Sequence, residues 1–150
     1  MTQKIIYRWL LFVGLSHALL GILFILIAQS SLINFYLEHL QQAFGVDLSA
    51  QEESLVRRLL QLFGPTVASW GLLFCIATHS FVQQGKLAIK WALMLAVLIW
   101  FVFDSGLSLY MSLYYHLIIN LVAATSIVIP LLLLKAQPSP AAVTANTPGT

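Results

Sequence analysis

Charge is what this chain has least of. Seven Lys and Arg and five Asp and Glu make up 8% of its 150 residues, while 60% are apolar. Soluble domains average about 25% charged and about 45–50% apolar. With a mean hydropathy of +0.92, too little polar surface remains to coat a particle in water. That excludes a soluble enzyme, a nucleic-acid-binding domain and an unstructured chain. Cysteine is nearly absent as well. The single Cys75 excludes an intramolecular disulfide and a Cys-x-x-Cys redox pair. Its place in an apolar run marks it as a small hydrophobic filler. No nucleotide loop, nucleophile–base pair or cofactor motif occurs, so the sequence asks for no cofactor and no metal.

What is present is apolar sequence in long runs. A spanning helix needs about 20 mostly apolar residues. Four stretches meet that length: from about Trp9 to Ala28, Leu59 to Phe81, Trp91 to Tyr110 and Tyr115 to Leu134. Only helices satisfy their own backbone in lipid without closing a barrel. The expected fold is therefore an all-α integral membrane protein, a four-span antiparallel bundle occupying residues 1–135. A secretory signal peptide is the rival reading of the N-terminus, but the first run is longer than the usual apolar stretch of such a signal. The lipid bilayer itself is the first expected partner.

Basic residues orient the spans. With four crossings, Lys4, Arg8, Lys86, Lys90 and Lys135 fall on one side and Arg57 and Arg58 on the other. The positive-inside rule then places both termini in the cytoplasm, in a bacterial inner membrane. Trp9, Trp91, Tyr110, Tyr114 and Tyr115 fall at span ends, where amphipathic rings favour the interface.

Between the first two spans, Ile33, Tyr36, Leu37, Leu40 and Phe44 share one helical face. This pattern predicts one interfacial amphipathic helix that stops at Gly45. Ser49 and Glu52 have capping-box spacing, so the next helix starts near Ala50, before the membrane. Pro65 and Pro130 each remove a backbone donor and predict kinks near Gln61 and Ser126. Residues 136–150 are rich in Pro, Ala, Thr and Ser without charge. They read as a disordered cytoplasmic tail.

Residues 8–28 and 58–78 share Gly-x3-Ala-x2-Gly, as Gly14, Ala18 and Gly21 and as Gly64, Ala68 and Gly71. Small residues at this spacing let a neighbouring backbone approach closely. A packing groove in each helix explains the match; an ancient duplication is the sharper alternative.

Asp104 is the only acidic residue inside a span. Ser105, Ser108 and Ser112 share its face, and His116 and Asn120 lie one turn apart across the next hairpin. Thr66 and Ser69 enter from the same side. Together they form a candidate polar cluster, either glue between helices or the lining of a water-accessible cavity. His17, midway along the first span, is the remaining candidate ligand-binding residue. A bis-histidine haem is not expected, because His17, His79 and His116 sit at three different depths. Arg57 and Arg58 are expected to snorkel to lipid phosphate or to pair with Glu52 and Glu53.

Several small four-span families can be tested by their residues. Quinone-linked disulfide enzymes need cysteine pairs. Small multidrug exporters carry a Glu in the first span. Membrane glutathione transferases place Asn and Glu near an Arg-rich helix, and Arg57-Arg58-Leu59-Leu60-Gln61 lacks both. In span order alone the chain is similar to DoxX-like four-span proteins. The expectation is a non-enzymatic membrane protein that binds a lipid-like or apolar ligand, or an accessory subunit joining a homo-oligomer or membrane complex. The rivals are a proton-coupled carrier using Asp104 and a lipid-modifying enzyme using Asp104 and His116 as acid and base.

Overall fold

The computed structural model describes residues 2–136. The expected tail beyond residue 136 lies outside them. The described chain is helical, in the order α1 (Gln3–Ile27), a short 3-10 turn (Ser31–Ile33), α2 (Asn34–Phe44), α3 (Ala50–Gln84), α4 (Leu87–Tyr110) and α5 (Tyr114–Leu133). Helices α1, α3, α4 and α5 are each long and apolar enough to cross a membrane. Helices α1 and α4 begin six and four residues before their apolar runs, because helical backbone continues into turns that carry Lys and Arg, while α3 starts at Ala50 as its cap predicts.

Local chemistry sets each boundary. The end of α1 is held by side chains from α3. Gln61 donates to the Ile25 carbonyl at 2.9 Å. Arg57 donates to Ala28 O at 3.1 Å and Ser30 O at 2.9 Å, and reaches Asn34 Oδ1 at 2.6 Å. Arg57 is thus a clamp on helix-end carbonyls, not a partner of Glu52 or Glu53. Three oxygens converge there, which favours a cation with several donors. Helix α2 stops where expected, at Gly45 with φ 63°. Helix α3 opens with the expected capping box: Ser49 N–H donates to Glu52 Oε2 at 2.8 Å, and Glu52 N–H donates back to Ser49 Oγ at 3.4 Å. The α4–α5 turn has the bonding of a Schellman cap. Leu113 N–H reaches Ser108 O at 2.8 Å and Ser112 N–H reaches Leu109 O at 3.1 Å. Ser112 takes the left-handed position, φ 59°, that glycine usually fills.

Helix α1 packs on α3 and α5, and α4 packs on α3 and α5. The α1–α3 contact is the tightest. The two Gly-x3-Ala-x2-Gly motifs meet each other along it. A Cβ added at Gly71 would fall on Gly14 O and Ala18 N, and one at Gly21 on Ala68 N and Gly64 O. At Gly14 it would sit 2.5 Å from Cys75 Sγ. Backbone against backbone is what small residues allow where apolar burial cannot drive association. This agrees with the packing-groove explanation of the shared motif.

Pro65 and Pro130 lie within unbroken helices. Pro130 lacks the N–H that would bond Ser126 O. That carbonyl instead accepts from the Trp9 indole N–H at 2.8 Å.

One apolar cluster joins all four long helices, with Leu10, Val97, Ile127 and Leu131 fully buried. It lies toward the end that carries Lys4, Lys90 and Lys135. Toward the opposite end, the buried residues of α4 and α5 include Ser105, Ser108 and Asn120. Outward positions are apolar: Phe12, Leu73, Phe103 and Ile119 are 61–68% exposed. Such continuous apolar surface suits a lipid environment and not water.

Candidate functional site

The polar cluster forms where α4 and α5 approach under α2. Asn120 is 5% exposed, and its amide donates to Asp104 Oδ2 at 2.6 Å. An amide N–H donates and a carboxyl oxygen accepts, which sets the direction of this bond. The same nitrogen lies 3.4 Å from Ser105 Oγ. Ser108, one turn on from Asp104, is 4% exposed. The hairpin brings Asp104 and Asn120 together as their depths suggest.

Helix α2 completes the site. Tyr36 is half-buried and stands in the field of Asp104. Its phenol pKa is pushed above its ordinary value of 10.0, first by burial and then by the negative charge of Asp104. Its ring stacks on His116, with centroids 6.0 Å apart and planes at 24°. One helical turn on, His39 meets Tyr115 edge-to-face at 5.0 Å. His39 Nε2 is buried without a hydrogen-bond partner among the described residues. Two aromatic–histidine pairs therefore fasten α2 to the start of α5.

Four of the six candidate residues, Asp104, Ser108, His116 and Asn120, belong to this end of α4 and α5. Thr66 and His17 do not join them. Buried positions on α3 include Gly64, Gly71 and Phe74. Thr66 follows Gly64 by two residues, roughly 200° around the helix, and is exposed. It lines a 460 Å³ recess with Pro65, Ser69, Trp70 and Leu73. His17 is half-buried, bonds back to Val13 O at 2.9 Å through Nδ1, and rests against Trp70 at 4.9 Å. His17 belongs to the α1–α3 seam, whereas Thr66 lies on the face of α3 turned away from it.

Tyr36, His39 and Tyr115 are the site residues that sequence reasoning did not assign to the cluster, which already included Ser105. The available signal was Tyr36 and His39 at a spacing of three, on one face of α2, and a second Tyr-His pair at 115–116. Among the described residues no group of three His, Cys, Asp or Glu side chains converges to hold a metal.

No family model matches the chain, and neither does any curated protein or solved structure. The likeness in span order to DoxX-like proteins therefore assigns no residue a role.

Proposed function

We propose that this chain is a small polytopic inner-membrane protein, a four-span antiparallel bundle with both termini cytoplasmic. In this reading it binds a lipid-like or apolar ligand, or acts as an accessory subunit, without catalysing a reaction. The observation that carries this reading is the Asp104–Asn120 pair under the α2 lid. It is an ionisable group with one buried amide partner, set beside a core of buried Leu, Ile, Val and Phe. A ligand with one polar head and an apolar body matches that combination.

The rivals fit less well. A proton-coupled carrier needs polar groups leading on from Asp104. Between Asp104 and the basic end lie Val97, Ile127 and Leu131, fully buried and apolar. An acid–base enzyme needs Asp104 and His116 facing one reacting atom. Here the His116 ring stacks on Tyr36.

The test is Asp104→Asn in the full chain, purified gently and examined by native mass spectrometry. Asn keeps the shape and cannot ionise. The expected outcome is a folded protein that has lost its co-purifying ligand. A variant that keeps the ligand unchanged overturns the reading. Orientation is tested separately by thiol labelling of Gln51→Cys in a Cys75→Ala background. Gln51 is exposed beside the Ser49 cap without being part of it. Labelling is expected in intact cells, and labelling only after lysis reverses the topology.

A further inference from the structure

All five acidic residues, Glu38, Asp47, Glu52, Glu53 and Asp104, lie away from the end formed by Lys4, Arg8, Lys86, Lys90 and Lys135, and residues 137–150 add no acidic side chain. Five cations on one side are enough to orient a chain, and that role needs no particular geometry. Here there is geometry. Lys4 and Arg8 from α1 and Lys135 after α5 converge on a 360 Å³ recess that Gln3, Tyr7, Val82 and Leu134 complete. Gln3 ties the two chain segments together. Its amide donates to Leu133 O at 3.2 Å and its Oε1 accepts from Lys135 N–H at 2.7 Å. The Tyr7 hydroxyl is fixed against His79 Nδ1 at 2.7 Å.

The cations of the recess differ from their neighbour Lys90. The Lys90 ammonium donates to Leu132 O at 2.8 Å and Leu134 O at 3.0 Å. It is committed to closing the end of α5. No side-chain hydrogen bond of Lys4, Arg8 or Lys135 occurs among the described residues. The start of α1 adds to the field, since the Thr2 side chain does not cap it and a helix N-terminus favours anions.

We propose that this recess binds a phosphate group, and that its source is the headgroup of an anionic phospholipid. Lys4, Arg8 and Lys135 hold the phosphate oxygens. Together with the half-buried Tyr7 ring, the edges of the nearly buried Val82 and Leu134 supply an apolar wall for the first methylenes of the acyl chains. A soluble phosphate offers the same oxygens but nothing for that wall. Basic recesses between spanning helices suit anionic headgroups for the same reason. The site is separate from Asp104 and does not depend on its role.

The test uses the full chain purified in detergent, titrated with phosphatidylglycerol, phosphatidylcholine or inorganic phosphate. Binding is read by native mass spectrometry and by the shift in melting temperature. Phosphatidylglycerol is expected to bind and phosphatidylcholine is not. Arg8→Gln and Lys135→Gln should each weaken phosphatidylglycerol binding about fivefold, and together about 25-fold. Lys86→Gln removes a charge of the same end outside the recess and should leave binding unchanged. Equal loss in Lys86→Gln reduces the effect to diffuse surface charge and overturns the proposal. Equal binding of phosphatidylcholine overturns it as well. Inorganic phosphate that competes at the same concentration as phosphatidylglycerol overturns the lipid assignment. If the double variant melts early without lipid, Lys4→Gln alone carries the comparison, with the same fivefold loss expected.

Discussion

The two ends of this molecule are built from the same helices and held together differently. Toward the basic end, α1, α3, α4 and α5 meet through buried Leu, Ile, Val and Phe, and charge is kept to the rim. Toward the acidic end, α4 and α5 meet through Ser105, Ser108, Asp104 and Asn120, with α2 laid across them by aromatic–histidine pairs. The contrast teaches a division of labour. Close apolar packing at one end provides stability, and that stability lets the other end bury groups that contribute little to it. Polar contacts between spanning helices average only about 0.6 kcal/mol where they have been measured. Binding sites tend to sit in such weaker regions.

The comparison breaks most severely at the α1–α3 seam that runs between the two ends. Gly71→Leu would drive a side chain into Gly14 O and Ala18 N. The expected cost is about 3 kcal/mol, read as a lower melting temperature in detergent. Gly106→Leu is the control, because a Cβ there meets nothing within 4 Å, and it should leave melting unchanged.

A pair of substitutions sharpens the contrast between the ends. Ile127→Ala opens a cavity in the basic half and should cost about 2 kcal/mol while leaving ligand at the Asp104 site. Asn120→Leu in the acidic half should cost only about 1 kcal/mol and release the ligand. Chemical denaturation and native mass spectrometry of the two variants measure both quantities. If Asn120→Leu proves the more destabilising, the polar cluster is structural and the division of labour fails.

The smallest effect is a pH dependence confined to the acidic end. The folded-state pKa of Tyr36 is raised, so the fold favours the neutral phenol. Its contribution to α2 docking is complete below the ordinary value of 10.0 and is lost as pH rises through the higher folded value. Alkaline titration followed by tyrosinate absorbance should show one late-titrating phenol, absent in Tyr36→Phe. Melting of Tyr36→Phe should correspondingly respond less to alkaline pH than that of the parent.

What could be read from the sequence and what could not divide by range. Helix number, the Gly45 stop and the Ser49–Glu52 cap are each written in contiguous stretches of residues, and their pattern is visible in the chain. The Asp104–Asn120 pair was also legible, because a short hairpin equates depths on its two arms. Thr66 was misplaced because depth alone does not say which way a helix is turned. The rotation of α3 is set by Gly64 and Gly71 facing α1. Arg57 was misread for a related reason: the carbonyls it clamps belong to a helix end about 30 residues earlier in the chain. The pairing of Tyr36 with His116 and of His39 with Tyr115 depends on where α2 lies down, which no local pattern specifies.

The bond from Trp9 to Ser126 has a consequence for how this chain can change over generations. Pro130 strips that carbonyl of its helical donor, and Trp9, far away in the sequence, replaces it. Neither residue therefore has a fixed fitness value. If Trp9 is lost while Pro130 remains, a bare carbonyl is left in an apolar layer. If Pro130 becomes Ala first, the helix regains its own donor and the indole is released to vary. The two routes reach the same pair of residues, but only the second avoids a damaged intermediate. The order of substitution, and not only its content, decides whether an intermediate carries an unpaired carbonyl.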